Sequence, residues 1–350
     1  MRIAFFAFVF STLTILQACA SGAADDGRLV NEQEIAIGQI NAIAVHYGSD
    51  SVAFLRHDSP SIIVREYIDR NDSALFADIR LAGNTLVVTG GRRPVTLMPF
   101  SIGPVRGHVE IFVPQAIMAI EITTSSGSIA IPDAHNVASF TVSNSSGRIR
   151  ANSITADSVV MGNSSGGISI NNIVADSVRI GSSSGAIEAR SIEAGAADIK
   201  NSSGRITIDS LVAESAVVRT SSGRIGIDSI ASGGAEINSS SGSIALGRIE
   251  GSARIGSSSG GVRGALGMGA GNVFISTTSG SVTLDLPRSL SFDFLSRSSS
   301  GSLRTSFDDR LFSSVSDRRL VQGSIGDDNE AQRTIEITTS SGSRRVNWVN

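Results

Sequence analysis

The sequence is poor in features that most folded domains of this size use. Only 5% of its 350 residues are aromatic, and a single cysteine, Cys19, leaves no pair for a disulfide within the chain. Lys200 is the only lysine, and a formal net charge of −3 gives no strong attraction to nucleic acid. The hydrophobic residues, 41% of the chain, are mostly Ile, Val and Ala, which suits narrow layers of strands better than a broad core.

What the chain has in abundance is the phrase Ser-Ser-Gly, with Thr-Ser-Gly in one copy. Neighbouring copies are 18 to 21 residues apart, and most are separated by 19 residues. We interpret the last interval, of 41 residues, as two periods with a degraded copy at Gly323. A fixed period of this length indicates a repeat architecture. The glycines of the phrase are Gly127, Gly147, Gly166, Gly185, Gly204, Gly223, Gly242, Gly260, Gly280, Gly301 and Gly342.

Apolar residues recur at fixed distances after each of these glycines. Aliphatic or small residues stand two, four, seven, twelve and fourteen positions later, as in Ile168, Ile170, Ile173, Val178 and Ile180. Pairs spaced by two indicate short strands, separated here by polar bends. One such coil cannot bury its own apolar face, whereas stacked coils can. We therefore predict an all-β, single-stranded parallel β-helix, or β-solenoid, with about 19 residues per coil, right-handed like nearly all parallel crossovers.

Strand alternation also predicts how the Ser-Ser-Gly phrase is used. It points the third residue before each glycine inward (Asn144, Asn163 and Asn201 are examples), and likewise the serine directly before the glycine. Small amides and hydroxyls can satisfy a buried corner, and glycine can supply a positive φ or a tight bend. We interpret the phrase as the corner of each coil. The alternative is an exposed serine ladder that binds a glycan.

The first residues are predicted to form an export signal. One arginine precedes an apolar run from Ile3 to Leu16, which is too short for a stable membrane span. The run ends in Leu-Gln-Ala-Cys at Cys19, which resembles the bacterial lipobox. This resemblance implies a lipoprotein signal peptide over residues 1–18 and acylation of Cys19, which would anchor the protein to the lipid bilayer. An ordinary secretory signal with a chance cysteine is the alternative.

Residues 19–34 are small and polar after Cys19 and are predicted to form a flexible tether. Ala20 follows the cysteine, which favours the outer membrane of the cell envelope if the organism is Gram-negative. We expect residues 35–114 to form irregular leading coils that cap one end. Residues 115–350 are expected to hold the repeats and a second cap. Arg344 stands where the repeats have an apolar residue, and this charge is predicted to stop further stacking.

Several segments together resemble a known bacterial family. The segment Gly107–Pro114 leads into Ile-Glu-Ile-Thr-Thr-Ser-Ser-Gly-Ser at 120–128, and the same nine residues return at 335–343. With Ser281–Pro287, these segments are similar to the DUF4097 family of envelope proteins and to the related head GIN domain of autotransporter adhesins. The resemblance spans roughly residues 35 to 350. It implies a β-solenoid fold and an adhesion role, and the family offers no catalytic residues to transfer.

The residues themselves give little support to an enzyme, which we predict the chain is not. Two polar columns at the bends contain Asp157, Asp176 and Glu214 in one and Asp209 and Asp228 in the other, but Gly and Arg interrupt them. We interpret them as solvated corners. The four histidines share no metal-ligand spacing, so we expect no metal and no cofactor. A degenerate or active polysaccharide-processing β-helix is the alternative.

Three arginines share the position directly after a corner glycine, Arg148, Arg205 and Arg224. They are candidate surface-binding residues for a polyanion, although a solvated mixed surface is the alternative. We expect a monomer that contacts an envelope glycan or a protein partner and no nucleic acid. The sequence therefore favours a membrane-anchored, non-catalytic module for adhesion, interaction or structure.

Overall fold

The computed structural model describes residues 28–92, 107–307, 314–316, 319–326 and 333–349. These residues form strands and one short 3₁₀ helix, Ser73–Leu75, and no α-helix. Nothing helical in these ranges is long and apolar enough to cross a membrane. Cys19 lies outside the described residues.

The strands are β1 Arg28–Ala36, β2 Ala42–Tyr47, β3 Ser51–His57, β4 Ser61–Ile68, β5 Asp78–Ala82, β6 Thr85–Thr89, β7 Gly107–Pro114, β8 Ala119–Thr124, β9 Ile129–Asn144, β10 Ile149–Asn163, β11 Ile168–Ser182, β12 Ile187–Asn201, β13 Ile206–Thr220, β14 Ile225–Ser239, β15 Ile244–Ser257, β16 Val262–Thr277, β17 Val282–Pro287, β18 Phe292–Ser298, β19 Leu303–Thr305, β20 Ser314–Ser316, β21 Leu320–Ile325, β22 Thr334–Thr339 and β23 Arg344–Val349.

The central part is a parallel β-solenoid, as predicted. Strands β9 to β16 each make one coil and pair in parallel with the next coil. Equivalent residues stand above one another, so Ile168 pairs with Ile149 on one side and with Ile187 on the other. All three are buried, and the predicted apolar columns form one continuous core. The handedness of the coil stays a prediction.

Each coil has three sides because the inward alternation is broken twice. Ala151 and Ile154 are both buried although they are three positions apart, and so are Ala156 and Val159. A straight strand would turn one member of each pair outward. Asn152 and Asp157, which lie between the members of each pair, accordingly have no paired residue in the next coil, and both are exposed at the bends. The third bend is the Ser-Ser-Gly corner.

The corner glycine is required for space and not for its dihedral angles. The described glycines with positive φ are Gly38, Gly83, Gly251 and Gly326, and none belongs to the Ser-Ser-Gly series. A Cβ on Gly204 would instead overlap the carbonyl oxygen of Gly185 in the coil below. The same overlap with the preceding corner recurs throughout the series. The expectation of a positive φ was therefore wrong, since the constraint is the close approach of two backbones.

At the N-terminal end, an early coil lies between two later ones. Strand β2 pairs with both β6 and β8, and β3 pairs with both β7 and β9. Asp50, between β2 and β3, takes the place of a corner glycine, because its carbonyl oxygen lies where a Cβ on Gly127 would be. The first coil in the sequence is therefore the second coil in space.

The C-terminal end repeats this arrangement and corrects two predictions. Strand β22 lies between β16 and β18, and β23 lies between β17 and β19. Arg344 therefore does not stop the stack, since Val282 pairs with it on one side and Leu303 on the other. Its buried guanidinium donates to Ser296 Oγ at 2.9 Å and to the carbonyl of Gly301 at 3.1 Å. Gly323 is not a corner, because β21 runs antiparallel to β18.

Antiparallel strands cover the outermost coil at each end. Strands β4 and β1 continue the sheet beyond β7, and β5 pairs with β6. At the other end, β21 covers β18 and β20 covers β21. Unpaired parallel edges would invite end-to-end association, which these strands restrict.

The corner contact predicts that replacing glycine by alanine destabilises the protein at one position and has little effect at another. Gly204→Ala should lower the free energy of unfolding by at least about 2 kcal/mol, because the new methyl must displace the Gly185 backbone. Gly181→Ala should change it by less than about 0.5 kcal/mol, because nothing lies within 4 Å of its Cβ position. Urea unfolding of both variants measures the difference. Equal losses would contradict the close-approach explanation.

Candidate functional site

An amide side chain clamps several of the corners. Asn144 donates from Nδ2 to the carbonyl of Gly127 at 2.7 Å, and its Oδ1 accepts from the backbone N–H of Gly147 at 3.0 Å. Asn163 and Asn201 repeat this pattern in their own coils. The three amides are buried, as predicted. Each therefore ties its own corner to the one below.

Hydroxyls replace the amide at other corners. Thr220, Ser239 and Ser257 each accept a hydrogen bond from the corner glycine three residues later, at 3.1, 2.9 and 3.0 Å. Ser182 stands at the same position, but its buried Oγ finds no partner within the described part of the chain. The Gly185 corner is thus the one in this run whose clamp is incomplete.

The serine directly before each corner glycine was predicted to point inward, and this was wrong. Ser146, Ser165 and Ser203 are exposed. The alternation fails here because the Asn or hydroxyl clamp closes a tight turn, for example through Ser146 N–H to Asn144 Oδ1 at 3.0 Å. Both serines of the phrase therefore face solvent. We call these two columns the serine crest, and it comprises residues 145–146, 164–165, 183–184, 202–203, 221–222, 240–241 and 258–259.

A groove follows the crest along the rod. It has a volume of about 930 Å³, and its walls come from the first serine of each crest pair and from the residue just before each clamp. The clamp residues form its floor. Two cations stand on its wall, but Lys200 contacts Asp198 at 2.7 Å and Arg219 contacts Glu236 at 2.9 Å. This corner groove is therefore long, polar and close to neutral.

The three predicted arginines lie on the opposite side of the crest. All are exposed, and no carboxylate of the described residues lies within ion-pair distance of them. Arg205 and Arg224 occupy neighbouring coils, and Arg224 Nε donates to Ser243 Oγ at 3.0 Å. Arg148 is separated from Arg205 by Gly167 and Ala186. The structure thus brings together two arginines and leaves the third about 14 Å along the rod, or three strand spacings.

Away from the corner groove, burial shifts the pKa values of His135 and Tyr67. His135 is buried between Phe54 and Phe140, with ring centroids 5.4 and 5.9 Å away, and burial lowers its pKa. On the N-terminal sheet, burial raises the pKa of Tyr67 to about 12, with help from its hydrogen bond to Glu110. Among the described residues, no three His, Cys, Asp or Glu side chains are arranged to hold a metal ion.

The repeat geometry and the corner motif agree with a known family. The profile of the Toastrack DUF4097 family matches residues 40–227 and 198–347. The chain belongs to this family. The match confirms both the family resemblance and the β-solenoid fold that were predicted from the sequence.

Solved structures give weaker likenesses to this Toastrack chain. A proposed adhesin from Parabacteroides distasonis is 16% identical, with 74% of this chain and 98% of that chain covered and a TM-score of 0.44. One from Parabacteroides merdae is 12% identical, with 91% and 96% covered and a TM-score of 0.38. A search of curated proteins gives no significant match. These likenesses are too weak to support an argument about function.

The sequence pointed to the three arginines as candidates, but the corner groove was not predicted and the exposed serine ladder was only the alternative. The signal for the groove was present, since two serines stand in nearly every phrase where one inward serine would have sufficed. It was hidden because alternation was extended through a turn that side-chain hydrogen bonds close.

The incomplete clamp predicts a stabilising substitution. Ser182→Asn should raise the free energy of unfolding by about 1 kcal/mol, since the amide can donate to the Gly166 carbonyl and accept from Gly185 N–H. Its neighbours Asn163 and Asn201 already make the equivalent bonds. Thermal melts measure the change, with Ser183→Asn on the exposed crest as a neutral control. A lower melting temperature for Ser182→Asn would contradict the clamp.

Proposed function

We propose that the protein is a lipid-anchored, non-catalytic module of the bacterial envelope that binds an extended, hydroxyl-rich polymer along its corner groove. The anchor is the acylated Cys19, and the polymer is an envelope glycan. In a Gram-negative organism the anchor would lie in the outer membrane. The observation that carries the proposal is the serine crest beside a groove of about 930 Å³.

The crest offers the same chemistry at every coil. Each serine hydroxyl can donate one hydrogen bond and accept others, as sugar hydroxyls do. Neighbouring coils repeat this pair of hydroxyls about every 4.8 Å. Many weak, equivalent contacts suit a polymer, because they add along its length when it lies parallel to the rod. Arg205 and Arg224, which lie beside the crest and form no ion pair with a described residue, would add attraction to anionic groups on the same polymer.

An enzymatic role has less support. Glycosidases usually place two acids on either side of the bond that they cleave. Here Asp157, Asp176 and Glu214 stand in one column at a single bend, all on the same side, and each is exposed. Asp209 and Asp228 do the same at another bend. The arrangement favours binding over catalysis.

The binding proposal predicts which changes remove retention of the protein on envelope polysaccharide. Gly181→Tyr should abolish it without altering the melting temperature, because the ring would fill the groove from a position that has open space. Reversing Arg148, Arg205 and Arg224 to Glu should weaken it several-fold, and more at low salt than at high salt. Affinity electrophoresis in polysaccharide gels measures both.

The matched control reverses Arg150, Arg190 and Arg263, which are exposed on other parts of the coil. It makes the same change in net charge and should leave retention unchanged. Full retention by Gly181→Tyr would contradict the groove proposal. Release of reducing ends from the polysaccharide by the purified protein would favour the enzymatic alternative.

The anchor is tested separately. Cys19→Ala should abolish incorporation of a fatty-acid analogue and release the protein from the membrane fraction, since no other cysteine can carry the lipid. Metabolic labelling followed by fractionation measures both effects. Ser21→Ala, two residues away, serves as the control. Equal labelling of Cys19→Ala and the unchanged protein would show that the lipobox interpretation is wrong.

A further inference from the structure

A second groove runs along a different bend of the coil. It has a volume of about 840 Å³ and follows the residues eight to ten positions after each corner glycine. We call it the acidic groove, and its lining comprises residues 136–137, 155–157, 174–176, 193–195, 212–214 and 233. It shares no lining residue with the corner groove. It is therefore a separate surface.

The floor of the acidic groove is apolar and smooth. Ala156, Ala175, Ala194 and Ala213 stand one above another and keep only 6 to 9% of their surface exposed. Val212, on one side, is 45% exposed, which is unusual for an aliphatic residue of this rod. Methyl groups at this depth leave space for small side chains of a bound molecule. The floor thus offers modest apolar contact along the rod axis.

The rim of the acidic groove carries one acid from each of four consecutive coils. Asp157, Asp176 and Glu214 stand on one side, and Glu193 stands on the other. All four are exposed. Strand spacing sets neighbouring coils about 4.8 Å apart, well inside the screening length of about 8 Å at physiological salt. The four carboxylates therefore repel one another and reinforce a single negative potential.

Unlike three other acids of the rod, these four have no ion-pair partner among the described residues. Asp198 has Lys200 at 2.7 Å, Glu236 has Arg219 at 2.9 Å, and Glu250 has Arg248. No cation of the described residues lies within ion-pair distance of the four rim acids, and no Lys or Arg lines this groove. The missing positive charge has to come from solvent or from a partner.

We propose that the acidic groove binds an extended, cationic segment of another protein, with Lys or Arg side chains on the rim acids and small apolar side chains on the alanine floor. An anionic glycan or a nucleic acid is repelled by the same potential. The acids lie in separate coils, and the described residues hold no group suited to a metal ion. The segment is extended because the groove is straight and crosses at least four coils.

Fluorescence anisotropy with synthetic peptides tests this proposal on the full-length protein. The probe is a labelled peptide of alternating lysine and alanine, and the comparison peptide replaces lysine with glutamate. Only the cationic peptide should bind. Replacing all four rim acids, by Asp157→Asn, Asp176→Asn, Glu193→Gln and Glu214→Gln, should weaken binding at least about tenfold, since each exposed charge contact contributes modestly.

The control variant removes four exposed acids elsewhere, by Glu121→Gln, Glu188→Gln, Asp209→Asn and Asp228→Asn. It has the same net charge as the groove variant and should bind within about twofold of the unchanged protein. Equal losses in the two variants would overturn the proposal, because attraction would then follow net charge alone. So would equal binding of a lysine–glycine peptide, since the floor would make no contact. Gly181→Tyr, which fills the corner groove, should bind the cationic peptide as the unchanged protein does. This result would distinguish the acidic groove from the corner groove proposed to bind glycan.

Discussion

The whole rod depends on one contact, the approach of each corner glycine to the carbonyl oxygen of the corner below. The gap admits no Cβ, as at Gly204 above Gly185. This contact fixes the vertical distance between coils at one edge, and the parallel hydrogen bonds fix it elsewhere. The Asn clamps then donate to the same carbonyl groups, and the hydroxyl clamps accept from the N–H groups of the corner glycines. Because the coils of the Ser-Ser-Gly series meet in this way, their apolar columns stack like on like.

The period and the inward columns could be predicted from the sequence because they are set by strand alternation and burial, which are local. The corner serines could not, since alternation ends where a side chain such as Asn144 closes the turn. The order of the coils in space could not be predicted from the sequence either. The coil around Asp50 carries no Ser-Ser-Gly phrase, and nothing in the spacing says that β2 enters between β6 and β8.

The buried Arg344 shows why a charge in an apolar column is an ambiguous signal. From the sequence it indicated the end of the stack. In the structure, Ser296, the Gly301 carbonyl and the Arg319 carbonyl accept its hydrogen bonds, so the next coil can stack on it. Ser296 on β18 and Gly301 just before β19 belong to a coil that precedes β22 and β23 in the chain and follows them in space. These acceptors reach Arg344 only because the coils are intercalated in space, and the repeat period of the sequence does not reveal that order.

The two grooves differ in how constant the type and position of their lining residues are from coil to coil. This difference affects which ligand each groove can bind. On the serine crest the residue type and its position are the same in nearly every coil, so the hydroxyls keep one geometry from coil to coil. At the acidic groove the position shifts, since Glu193 stands on the opposite side from Asp157 and Asp176, yet each of the four coils still supplies one acid. A ligand held by fixed geometry, such as a metal ion, would not tolerate that shift. A flexible cationic chain would, because long Lys and Arg side chains can reach either side of the groove.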